Sequence, residues 1–172
     1  MAKKSTDPTV LNATTARQVP MRDFSRSLPM SLLRAREAVM RQFRPNLREH
    51  GLTEQQWRIL RALAAIEAAE VTELARTAFL LGPSLSRILR DLEARNLIER
   101  ETAKTDQRRS MVSISKEGVK LMASVAPSSE AIYAEITQRF GARKLAELQE
   151  MLGELEQSLA GLGGGEGASS EE

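Results

Sequence analysis

The 172-residue chain contains no cysteine, and only one histidine, one tryptophan, one tyrosine and four phenylalanines. Without thiols it can form neither disulfides nor thiolate metal sites, and cysteine-based redox sensing is excluded. A single histidine also argues against an all-protein zinc site, so neither metal nor cofactor is expected. No nucleophile elbow, phosphate-cradling glycine loop or metal-ligand cluster occurs, and an enzyme is not expected. The scarcity of aromatic residues leaves a core of Leu, Ala, Val, Ile and Met, a composition that suits helices. No apolar run approaches a transmembrane span and the N-terminal segment lacks an apolar signal core, which leads to the expectation of a cytoplasmic protein with no membrane partner.

The length suffices for one domain with a real core and an appended helical arm. A net charge of +2 hides an asymmetry. Residues 1–61 carry twelve Lys/Arg against five Asp/Glu, residues 76–110 eight against five, and residues 111–172 five against ten. One basic face and an acidic end suit a protein that approaches phosphates. The polar, basic segment 1–25 reads as a flexible arm, and the Gly/Ser/Glu-rich 163–172 as a disordered tail.

Between them, apolar residues at helical spacing (Leu28, Leu32, Val39, Phe43, Leu47) predict a first helix over Pro29–Glu49. Gly51 stops it, and Thr53 opens the next with the capping-box pattern TEQQ. From Val71 to Gly118 the chain reads as two short helices, a tight turn and a basic β-hairpin. Thr72 is expected to cap the first helix, and Pro83-Ser84 to open the second. In that second helix Leu85, Ile88, Leu89 and Leu92 hold one face to the core. Ser84, Ser86, Arg87 and Arg90 point outward, where small polar and basic groups suit base edges and phosphates. Two alternating strands, Leu97–Ala103 and Met111–Ser115, flank a tip carrying Lys104, Asp106, Gln107, Arg108 and Arg109. The order, lengths and charge give a mainly α fold with a small β-hairpin wing, a winged helix-turn-helix core placed between N- and C-terminal helices. The plainer reading, a solvated loop on an ordinary α+β domain, explains less of the pattern.

The string LIERETAKTDQRRSMVSISKEG resembles the wing of the multiple-antibiotic-resistance-regulator (MarR) family. That wing has an Asp-x-Arg pair, here Asp106 and Arg108, then a strand, then Ser/Thr-x-x-Gly opening a helix, here Ser115 to Gly118. The resemblance runs from about Leu28 to Leu162. Within the family, AREAVMRQFRPNLREHGLTEQQWRILRAL is similar to repressors of aromatic-acid catabolism, of the homoprotocatechuate- or nicotinate-degradation type. The resemblance implies that Arg108 enters the minor groove while Asp106 braces the wing. It further implies a homodimeric, nucleoid-associated repressor on double-stranded DNA. Relatives bind small aromatic acids where the dimerisation helices meet the winged core.

The last helix shows the cleanest period. Leu145, Leu148, Leu152, Leu155, Leu159 and Leu162 alternate spacings of three and four, a heptad-like seam that exceeds what a thin terminal helix needs for its own domain. It is read as pairing with a second subunit, so that two recognition helices meet successive major grooves of an inverted repeat. The resulting division is a basic arm (1–25), a first dimerisation helix (26–52), the winged core (53–118), C-terminal dimerisation helices (119–162) and the tail.

Arg36, at the edge of the first helix's apolar stripe, has two open readings. It is an ion-paired or snorkelling side chain, or a bidentate receptor for a ligand carboxylate. His50 is either a cation favoured by the helix C-terminus or a second donor to the ligand. Trp57 is core or ligand wall, and Met40 and Phe43 line apolar space in either case. The function read from the sequence is a DNA-binding repressor released by a small aromatic or heteroaromatic carboxylic acid, such as a hydroxyphenylacetate or hydroxynicotinate. The alternative is a winged-helix DNA-binding or protein-interaction module without small-molecule control.

Overall fold

The computed structural model describes residues 23–102 and 110–161. The chain falls into two compact units that divide between Arg41 and Gln42, within helix α1 (Leu28–Glu49). In the first unit Asp23 accepts from the Ser25 backbone N–H at 2.8 Å and from its hydroxyl at 2.6 Å, capping a 3₁₀ turn over Phe24–Arg26. Those two bonds hold the Asp23 carboxyl below the usual carboxylate range. The Arg34 guanidinium donates to the Ser25 carbonyl at 2.5 Å and fixes the turn to the start of α1.

The second unit holds the remaining elements. Helix α2 spans Glu54–Ala64, followed by strand β1 (Ala69–Glu70), helix α3 (Val71–Thr77) and helix α4 (Gly82–Ala94). Strands β2 (Ile98–Thr102) and β3 (Ser110–Ile114) precede helices α5 (Lys116–Phe140) and α6 (Ala142–Leu159). The capping box forms as the sequence predicts: Thr53 Oγ1 accepts from the Gln56 N–H at 3.2 Å, and Gln56 Oε1 accepts from the Thr53 N–H at 2.8 Å. Helix α5 continues through Pro127, and Gly141, at φ +97°, separates it from α6.

Two local expectations are corrected. The sheet has three strands, order β1-β3-β2, all antiparallel, where a two-stranded hairpin was expected. Ala69 pairs with Val112 and Glu70 with Met111, so the backbone at Glu70 is held extended and turns into α3 directly after it. The N-cap of α3 is therefore Glu70, without a side-chain cap bond, and Thr72 sits inside the first turn. Pro83 and Ser84 do open α4, both in its first turn, with Leu81 as the N-cap.

Three helices end in one motif. At α1 the Leu52 N–H reaches the Leu47 carbonyl and the Gly51 N–H reaches that of Arg48. Leu80 and Phe79 make the equivalent bonds to Ala75 and Arg76 at α3, and Leu97 and Asn96 to Leu92 and Glu93 at α4. The motif requires one left-handed residue, for which Gly and Asn are suited. Gly51 (φ +66°) and Asn96 (φ +56°) fit; Phe79 (φ +50°) does not, at a cost of roughly 1–2 kcal/mol.

A single core joins these elements. Leu47, Ile59, Leu60, Leu63, Leu74, Leu85, Leu89, Leu92, Val112 and Val125 are fully buried. Among the described residues no helix is long and apolar enough to cross a membrane. Ser115 closes the unit by accepting from the Gly118 N–H at 2.9 Å while donating to the Asn96 carbonyl at 2.6 Å. A Cβ on Gly118 would overlap the Leu97 carbonyl oxygen and crowd Ile114 Cγ1. Gly118→Ala should therefore lower the unfolding free energy by about 2 kcal/mol in urea titrations. An unchanged midpoint would show that α5 does not approach the sheet this closely.

Candidate nucleic-acid interface

Helix α4 is two-faced because its leucines recur at three and four. Leu85, Leu89 and Leu92 are fully buried, which leaves Ser84, Ser86, Arg87 and Arg90 exposed on the other side. All four residues predicted to face outward do so. Arg90 Nε donates to the Ser86 carbonyl at 3.4 Å, lying back along the helix, whereas Arg87 has no acidic partner among the described residues. Ser84 and Arg87 open onto a groove of about 500 Å³ shared with Thr53, Gln55 and Gln56 at the start of α2.

Polar ties fix the helix in place. Gln56 Nε2 donates to Asp91 Oδ2 at 2.5 Å, so the residue that completes the α2 capping box also grips α4. Arg95 Nη1 donates to the Gly51 carbonyl at 3.0 Å, and Arg100 of β2 lies 3.6 Å from Glu93. Arg58 Nη1 donates to the Ala78 carbonyl at 2.8 Å, anchoring the turn that leads into α4. The acidic groups of α4, Asp91 and Glu93, are thereby engaged with cations and an amide of the scaffold, and the outward face is left basic. Sequence reasoning missed these ties. The TEQQ box marks Gln56 as a cap, but nothing in the sequence marks Asp91 as its second partner.

The predicted wing tip, with Lys104, Asp106, Gln107, Arg108 and Arg109, lies outside the described residues. The strands that would carry it are paired up to Thr102 opposite Ser110. The residues predicted to receive an effector fall in both units. In the first, Arg36 is exposed with Nη1 2.9 Å from Glu37 Oε1, and Met40 is half-buried. In the second, Phe43 is buried with its ring centroid 4.9 Å from that of Tyr133, a partner the sequence did not indicate. His50 Nδ1 lies 2.8 Å from the Asn46 carbonyl, and Trp57 packs partly buried against the core.

Residues 50–109 match the family described as MarR. The homoprotocatechuate degradative operon repressor of Escherichia coli is 41% identical over 128 residues, 74% of this chain and 86% of the relative. The chain belongs to the MarR family. It is accordingly a transcriptional repressor of that family, and its relatives are regulators, not enzymes. Among solved structures, the transcriptional regulator PA4135 superposes with a TM-score of 0.74 at 44% identity, over 76% of this chain and 96% of its own. NadR in complex with 4-hydroxyphenylacetate superposes with a TM-score of 0.69 at 37% identity, over 80% and 97%. The winged helix-turn-helix read from the sequence is thus the MarR fold.

If the outward face of α4 reads bases, Arg87→Ala should weaken binding to a specific site on the order of tenfold or more. Its thermal midpoint should stay within a degree or two of the parent, because Arg87 packs against nothing in the core. Equal affinity of variant and parent in a gel-shift titration would remove Arg87 from the interface.

Proposed function

We propose that this MarR-family protein binds an inverted-repeat operator as a homodimer and is released by a small aromatic or heteroaromatic carboxylic acid. The observation that carries the DNA part is helix α4, leucine-lined inward and Ser/Arg-lined outward, with its own acids held by the scaffold. The wing residues Lys104, Asp106, Gln107, Arg108 and Arg109 would add groove and phosphate contacts beside it.

The dimer is supported by the apolar seam of α6. That helix buries no residue; Leu152 and Leu159 are 40% and 49% exposed, and Leu145, Leu148 and Leu155 are only half-buried. A second copy of this chain offers the same seam in return. Helix α1 likewise carries Leu28, Leu32, Leu33 and Val39 exposed.

The effector class follows the 4-hydroxyphenylacetate bound by NadR and the homoprotocatechuate operon controlled by the Escherichia coli relative. Arg36 suits the carboxylate. Its guanidinium is exposed, 2.9 Å from Glu37 Oε1, and its planar fork suits a carboxylate through paired hydrogen bonds. His50 Nδ1 lies 2.8 Å from the Asn46 carbonyl, which leaves Nε2 as the ring nitrogen that would meet the ligand. Within the second unit, Phe43 and Trp57 would supply apolar surface. The acid lowers operator affinity only by as much as its own affinity differs between the operator-bound and free arrangements of the dimer.

Fluorescence anisotropy on labelled DNA from the protein's own upstream region, with a panel of hydroxylated benzoic, phenylacetic and pyridine carboxylic acids, tests the reading. One acid should release the DNA, and Arg36→Ala should bind DNA as the parent does while requiring at least tenfold more acid. Tight binding that no acid disturbs would leave a DNA-binding module without small-molecule control. An unchanged acid titration in Arg36→Ala would remove that residue from the effector's contacts.

A further inference from the structure

The exposed large apolar side chains separate by location. Leu28, Leu32, Leu33 and Val39 of α1 and Leu152 and Leu159 of α6 lie on faces assigned above to subunit pairing, and others, among them Val119, Tyr133 and Phe140, lie along α5. Phe79 and Leu81 do neither: they flank the turn between α3 and α4, and each is 78% exposed, the highest value among the described large apolar residues.

Each also breaks a local rule. Phe79 fills the left-handed position of a helix-ending motif that takes Gly51 at α1 and Asn96 at α4. Leu81 is the N-cap of α4 and offers no side-chain acceptor, where Ser, Thr, Asp or Asn would serve the helix better. The turn is nonetheless firmly held. Arg58 grips the Ala78 carbonyl on one side, and Leu80 packs against the core between the two exposed residues. Two apolar side chains are thus presented outward on a fixed turn, against the preferences of the backbone that carries them. Such conflicts concentrate at functional positions.

The surroundings select the partner. Arg76, Ser84 and Arg87 are exposed around the turn, and the first turn of α4 has no acidic residue. An apolar point inside a cationic rim matches duplex DNA, whose major groove offers one apolar mark, the thymine C5 methyl, between rows of phosphates. In a helix-turn-helix the residues at the start of the second helix are those that meet base edges.

We propose that Leu81 seats on a thymine methyl in the major groove while Phe79 covers the adjoining deoxyribose, so that the turn, and not only α4, reads sequence. This inference rests on the DNA-binding reading above. Phe79→Asn and Leu81→Ser test it, because each installs the residue that the local backbone prefers and should fold at least as stably as the parent. Each should nevertheless lose on the order of tenfold in affinity for the operator, with non-specific binding and its salt slope unchanged. Replacing one thymine per half-site by uracil, which removes only the methyl, should weaken the parent on the order of tenfold, about three- to fourfold for each of the two methyls, and leave Leu81→Ser unaffected. Variants that bind as tightly as the parent, or a parent indifferent to uracil at every position, would overturn the inference while leaving DNA binding intact. A fall in the variants' solution mass would assign the pair to a protein contact and overturn it equally. A parent that binds no DNA would fail the underlying reading itself.

Discussion

The structure depends on the burial of one face of α4. Leu85, Leu89 and Leu92 are removed from water against a core that includes Ile59, Leu60 and Leu63 of α2 and Val112 at the centre of the sheet. Each such leucine contributes roughly 1.5–3 kcal/mol, far more than any surface ion pair, so this contact decides how the helix is rotated. Rotation in turn decides which side chains are offered outward. With the leucines inside, the helical period leaves two serines and two arginines outside, and the chemistry proposed to face DNA is a by-product of packing.

Hydrophobic burial fixes rotation but resists sliding along the helix axis only weakly. The polar ties supply that constraint. Gln56 to Asp91, Arg95 to the Gly51 carbonyl and Arg100 to Glu93 engage α4 from the α1–α2 junction and from β2. The same junction is stapled by the Gly51 helix end and the Thr53 capping box. Displacement of the end of α1 would therefore be felt at α4 through short, directional bonds. A ligand-responsive regulator needs such a route.

Much of this was legible in the sequence. The first helix, predicted over Pro29–Glu49, runs from Leu28 to Glu49; Thr53, Gly51 and Ser115 act as read, and the inward and outward faces of α4 are as the leucine spacing required. These features are local, and periodicity or capping chemistry encodes them. What escaped detection is non-local. Strand β1 has two residues, too few for any period, and exists because Ala69 and Glu70 meet β3 some forty positions on. That pairing also shifted the start of α3 away from Thr72, a better cap by composition than Glu70. The left-handed Phe79 was hidden because a helix end without Gly or Asn gives no signal. The Gln56–Asp91 bond joins residues thirty-five positions apart, and neither residue's surroundings announce it.

The central claim is geometric: one helix per subunit, held at a fixed rotation, presented twice to one face of the duplex. Hydroxyl-radical footprinting of the protein on its own upstream DNA measures this directly. The account predicts protection on one face of the DNA in two blocks related by a dyad, centred about one helical turn apart at roughly 10 base pairs. A single unsymmetrical block, or uniform protection without helical phasing, would contradict it.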